Sequence, residues 1–188
     1  MSNPSSQTQI STSSSNYSQK NEAEKQFLRF YLESETKVIL PLEQITEIQK
    51  IGISQIVPIP QMPPWVMGIY NWRGNILWML DLGDLIGLKS WYQQGINTSN
   101  YTVIVLSLDR EKKSVKSNTI VNLGLIITRV EDIIWCNTDS IQSPPASAVT
   151  TAIAPFLKGY WLEQNGDMVL ALDGDAIIKS MPRNHHDY

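Results

Sequence analysis

The chain has 188 residues, 42% hydrophobic and 18% charged, with a formal net charge of −3 and a pI near 5.4. This mild acidity excludes the basic stripe of a nucleic-acid binder, and no apolar run reaches the roughly 18 residues of a membrane span. A domain of this length buries about 70% of its unfolded surface and folds without metals or disulfides, and the lone Cys136 fits a reducing cytoplasm.

Residues 1–24 are a Ser/Asn/Gln/Thr tract with almost no aliphatic content. Such a segment cannot offset its ordering entropy, so it is expected to be disordered. It has no apolar signal core, so export is not expected, and the N-x-S/T triplets at Asn16, Asn97 and Asn100 are chance matches. The folded part is expected over residues 25–181, with residues 182–188 as a tail.

From Lys25 the hydrophobic period is two. In "QFLRFYL", Leu28, Phe30 and Leu32 share one face and Arg29 takes the other. "ESET" is a polar turn and "KVILPL" a second apolar run, while "LPLEQITEI" fits a helix turn or a strand edge. "GIYNW" and "NILWML" flank Arg73-Gly74, a hairpin in which glycine supplies the unusual φ. Asp81 caps a short helix in "DLGDLIGL", closed by Gly87. "YTVIVLSL" reads as a buried strand and "TIVNLGLIITRV" as its partner, joined by the solvated basic connection "DREKKSVKSN". "GYWLEQ" and "DMVLAL" flank Asn165-Gly166, the strongest hairpin signal, and "DGDAIIKSM" is a second short helix capped by Asp173 or Asp175. Many short strands predict a mainly-β barrel or sandwich. Two similar halves, each with a strand, a hairpin and a short helix after an aspartate, predict two small barrels.

Chemistry is hard to seat on this sequence. His185 and His186 stand in the C-terminal tail, and Cys136 has no ordered histidine to activate it, so it reads as a small buried apolar residue. Asp173 and Asp175 lack the other ligands of a calcium loop. There is no phosphate-binding glycine loop, so no catalytic residue, metal site or cofactor is assigned. Trp65, Trp72, Trp78, Trp91, Trp135 and Trp161 read mainly as core or rim packing, with Trp78 either a core ring or a surface ring at a partner site. A sugar-stacking platform in a single lipocalin-type barrel, binding carbohydrate or another small ligand, is the alternative. Tyr70, Trp72 and Arg73 approach the hairpin tip, and Trp and Arg are enriched at interface hot spots. These features favour a binding module over an enzyme.

The stretch "PWVMGIYNWRGNILWMLDLGDLIGL" resembles the signature of CheW-like domains, with Pro64, Gly68, Asn71, Arg73, Gly74, Asp81 and Leu82 in the matching places. "KQFLRFYL" is similar to that family's first strand, Glu47-Ile48 to the end of its next segment, Gly124-Leu125 to a later motif, and "FLKGYWLEQNGDMVLALD" to its closing hairpin. Trp72 stands where the family usually has leucine, Trp78 where it has a strand proline, and Thr128 where aspartate is common, as in a divergent paralogue.

The resemblance implies two five-stranded SH3-like barrels with a few short helices. It implies a non-catalytic cytoplasmic adaptor of receptor arrays, for chemotaxis or pilus-based motility. The implied partners are the cytoplasmic tip of a methyl-accepting chemoreceptor, the regulatory domain of a CheA-type histidine kinase and other CheW-like proteins, without nucleic acid or membrane insertion. Leu42, Ile45, Glu47 and Arg73 are the implied receptor groove, and Pro64, Trp65, Met67 and Gly68 the kinase face. Asn71, Gly74, Asp81 and Gly124 are structural. A Glu47–Arg73 pair internal to the chain is the competing account of those two charges.

Overall fold

The alternation in the first apolar stretch produces β1 (Glu24–Tyr31). The structure, a computed structural model, describes residues 23–33, 35–95, 98–107, 122–144 and 149–182. The N-terminal tract through residue 22, the "DREKKSVKSN" connection, Asn97 and both histidines lie outside them. Glu24, read as the end of the disordered tract, is already the first residue of β1.

β1 pairs with β2 (Lys37–Pro41), and a 3-10 turn over Leu42–Gln44 then leads into β3 (Ile45–Gly52). "LPLEQITEI" is therefore both a helix turn and a strand edge. β4 (Val66–Trp72) and β5 (Asn75–Asp81) form the first hairpin, followed by the one-turn helix α1 (Leu82–Leu85). β6 (Asn100–Ser107) and β7 (Asn122–Ile127) pair antiparallel. The stretch read as a single partner strand for β6 is two strands. The ladder stops at Thr128, and β8 (Arg129–Asn137) leaves to pair with β1. β9 (Leu157–Leu162), β10 (Met168–Leu172) and α2 (Gly174–Lys179) close the fold. Asp173, not Asp175, caps α2, accepting from the backbone N–H of Asp175 and Ala176 at 2.9 and 3.2 Å.

The strands make two five-stranded sheets, ordered β8-β1-β2-β10-β9 and β3-β6-β7-β5-β4. Each contains one parallel pair, β2–β10 or β5–β7, beside a hairpin that ends in a helix-capping aspartate. The two halves are thus alike but circularly permuted. The chain starts in one sheet, builds the other without interruption and returns to finish the first.

Each sheet curls about its own apolar cluster. Phe27, Ile39, Cys136, Val169 and Ala171 fill the first barrel, with Trp161 against them. Ile51, Leu77, Met79, Trp91, Tyr101, Val103, Val105 and Ile126 fill the second. The outer faces meet in a larger shared core that includes Leu28, Phe30, Leu32, Leu40, Leu80, Ile104, Leu125 and Ile177. Strand alternation explains the division, because odd and even residues of one strand feed different cores. Trp78 is half-buried against the shared core, not inside it. A single large ligand-binding barrel is not the architecture formed.

Candidate protein-binding surface

The β4–β5 hairpin turns in two residues, with Trp72 opposite Asn75. Arg73 has φ 53° and Gly74 φ 82°, so both loop residues are left-handed, as in the type I′ turns that match strand twist. Glycine therefore does not supply the unusual φ alone. The Asn71 side chain stiffens the turn by accepting from the Gly74 N–H at 3.0 Å. Left-handed backbone costs a non-glycine residue roughly 1–2 kcal/mol, so an arginine here is held against its own preference. Its side chain is 67% exposed.

Glu47 lies across the barrel seam. β3 and β4 are the two edges of their sheet, and the curl brings them together. Trp72 Nε1–H donates to Glu47 Oε1 at 2.5 Å, and Arg73 Nη2 donates to Glu47 Oε2. The Arg73 guanidinium carbon also lies 5.2 Å from the Trp72 ring centroid. Further along the seam, Val57 exchanges two 2.9 Å backbone bonds with Ile69. Gly68 permits that approach, since a Cβ on it would stand 2.2 Å from the Val57 carbonyl oxygen. The internal Glu47–Arg73 pair is formed. The indole donor is new to the structure, because residues 25 apart in sequence leave no local signal of contact.

Leu42 and Ile45 are half-buried on the shared core, immediately before Glu47 on the same edge segment. The structure brings Glu47 and Arg73 together, whereas Leu42 and Ile45 lie beyond a β-bulge, Ile45 opposite Leu106 of the shared core and Glu47 opposite Val105 of the second barrel. The predicted kinase residues are less uniform. Pro64 is exposed, Trp65 is half-buried on the shared core, Met67 packs on the second barrel's core and Gly68 is buried. Gly68 has a structural place and offers a partner no surface. Five of the six tryptophans are spread over the three cores, so they do not form one stacking platform. Trp135 is 51% exposed on the edge strand β8, two residues from the equally exposed Ile133.

Gly124 lies opposite Met79 in the parallel pair, where a Cβ would meet the Met79 sulfur at 2.6 Å. Asp81 is 3% exposed and accepts backbone N–H bonds from Asp84 at 3.2 Å and Trp91 at 2.6 Å. Burial pushes its carboxyl above the ordinary aspartate value in spite of those donors. Thr128, at the crossover between sheets, donates its hydroxyl to the Leu32 carbonyl at 2.7 Å, tying the crossover to the end of β1.

The first barrel's seam carries a denser ion network. Arg29 pairs with Glu131, Asp132 and Glu163, and Lys37 bridges Glu163 and Asp167 at 3.0 and 2.7 Å. The Lys37 ammonium holds the Asp167 carboxyl below its ordinary value, and Asp167 raises Lys37 in return. The signal for this network was Arg29, a cation set inside an apolar strand.

Twin five-stranded barrels on a shared core, each closed by a hairpin and a capped helix, define the chain as a twin-barrel β module. The family model described as the CheW-like domain matches residues 26–181, and the chain belongs to that family. Among its relatives, the chemotaxis protein CheW of Treponema pallidum (strain Nichols) is 26% identical over 144 residues, 73% of this chain and 78% of that protein. The chemotaxis protein CheW of Klebsiella aerogenes is 28% identical over 157 residues, 82% of each. The crystal structure of scaffolding protein TtCheW from Thermoanaerobacter tengcongensis shares the fold, with a TM-score of 0.62 at 24% identity, covering 79% of this chain and 88% of that one. No helix among the described residues is long and apolar enough to cross a membrane.

Proposed function

We propose that this chain is a non-catalytic adaptor of a bacterial chemosensory array, working in the cytoplasm against membrane-bound receptors. It couples the helical tip of a methyl-accepting chemoreceptor to the regulatory domain of a CheA-type histidine kinase. Family membership over residues 26–181 supports the scaffold role. The observation that carries the assignment to a site is Arg73, an exposed cation kept in a left-handed turn and backed by Glu47. Non-glycine residues in such conformations cluster at functional sites, where the surrounding structure maintains the strain.

On the strand that carries Glu47, and in the turn before it, the partly exposed Leu42 and Ile45 would give an amphipathic helix an apolar footing, in the helix-in-groove mode. On this reading the receptor takes the surface that carries Leu42, Ile45, Glu47 and Arg73. The kinase takes the face around Pro64 and Trp65, with Met67 and Gly68 supporting from beneath.

The test is a calorimetric titration against the regulatory domain of each CheA-type kinase of the same organism, with Arg73→Ala and Trp65→Ala in parallel. Micromolar or tighter binding that Trp65→Ala loses and Arg73→Ala keeps is the expected result. No binding to any of these kinases sinks the coupling role.

A further inference from the structure

The reading of the Glu47–Arg73 corner as a partner surface leaves open which charge of the pair the partner reads, and the inference that follows rests on that reading. Both oxygens of Glu47 are engaged, Oε1 by the Trp72 indole N–H at 2.5 Å and Oε2 by Arg73 Nη2. Two donors from adjacent residues of one stiff turn fix the plane of that carboxylate. The Glu47 side chain is 23% exposed, so the cluster shows mainly its cation. Arg73 Nε and Nη1 meet no acceptor among the described residues. A phenyl ring at position 72 would fill much the same apolar space on the second barrel's core but could not donate a hydrogen bond.

We propose that Trp72 is a positioning residue that locks Glu47 as a fixed counter-ion, so that Arg73 offers its free N–H groups to a carboxylate of the docking helix. A partner bringing a cation to Glu47 finds each of its oxygens already bonded. The corner thus discriminates in favour of acidic helices, since guanidinium groups bind carboxylates through paired, charge-assisted bonds.

The experiment titrates the full chain with a soluble cytoplasmic-tip fragment of a chemoreceptor from the same genome. The variants are Trp72→Phe, Glu47→Ala, the double variant and Arg73→Ala. Nitrogen-15 spectra of the Arg73 guanidinium report its rotational restraint. Trp72→Phe should keep the fold with a modest fall in melting temperature from the lost hydrogen bond, free the guanidinium rotation and weaken binding about tenfold. In the Glu47→Ala background it should do nothing further. Equal losses in both backgrounds would mean that the ring acts by packing, and would overturn the proposal. So would wild-type affinity in Trp72→Phe while Arg73→Ala loses binding, a result that leaves the corner as a partner surface. Wild-type affinity in Arg73→Ala would remove the partner surface itself, and the proposal with it.

Discussion

Replacing Arg73 by asparagine separates display of the arginine from support of the fold. Asparagine tolerates left-handed backbone, and Asn-Gly is the preferred pair for a type I′ loop. The substitution should recover about 1 kcal/mol of the roughly 1–2 kcal/mol that the φ of 53° costs. Against this stands the ion pair to Glu47. With the arginine side chain 67% exposed, such a pair is worth about 0–1 kcal/mol. The guanidinium–indole contact at 5.2 Å adds roughly 0.5–1 kcal/mol at an exposed site. Glu47 keeps its indole donor throughout. The terms nearly cancel, so stability should stay within about 1 kcal/mol of wild type, a shift of no more than about 4 °C for a chain this long. Urea titration and thermal melting measure this, and binding to a receptor-tip fragment should meanwhile fall at least about tenfold. A stability loss above about 2 kcal/mol would refute the reasoning, because Arg73 would then be a clasp holding the barrel shut.

Gly68→Ala should cost at least about 3 kcal/mol, since its Cβ runs into the Val57 carbonyl and breaks the bridge to Ile69; an unchanged urea midpoint would contradict the seam geometry. Trp78→Ala should cost about 2 kcal/mol, less than the 3–5 kcal/mol of a fully buried ring, because part of its surface already meets solvent. The two perturbed aspartates should act on stability with opposite signs. The folded carboxyl of Asp81 titrates above its unfolded value near 3.8, so its contribution is full below that pH and is lost as the pH rises through the folded value. Asp167 is lowered by Lys37, so its contribution is present above the unfolded value and is lost as the pH falls through the folded one. Carbon-13 carboxyl titrations should show Asp81 above and Asp167 below the ordinary range, and Asp81→Asn should flatten the decline of stability above pH 4.

Local chemistry was legible in the sequence wherever a few neighbouring residues decide the outcome. The alternation of Leu28, Arg29 and Phe30, the Asn165-Gly166 turn and the capping aspartates needed no distant partner. Sheet membership was not legible. The parallel pairs β2–β10 and β5–β7 join segments far apart in sequence, and nothing in "TIVNLGLIITRV" marks Thr128 as the point where the chain changes sheets. The corner divides the same way. Arg73 stands out as a cation at an apolar turn, and family resemblance set Glu47 beside it. The indole bond from Trp72 depends on the barrel's curl, which brings edge strands β3 and β4 together, and a periodicity argument does not see curl. Gly68 misled in the other direction. Its place in the motif suggested an interface residue, yet its position is set by the close backbone approach of Val57.

The most direct test of the adaptor account is coupling itself. Autophosphorylation of the CheA-type kinase would be followed in a reconstitution with receptor-tip assemblies, with this chain present, absent or carrying Arg73→Asn. The account predicts receptor-dependent control of the kinase only when the wild-type chain is present, and its loss with Arg73→Asn despite an intact fold. Identical kinase rates with and without the wild-type chain, across every such kinase of the organism, would contradict it.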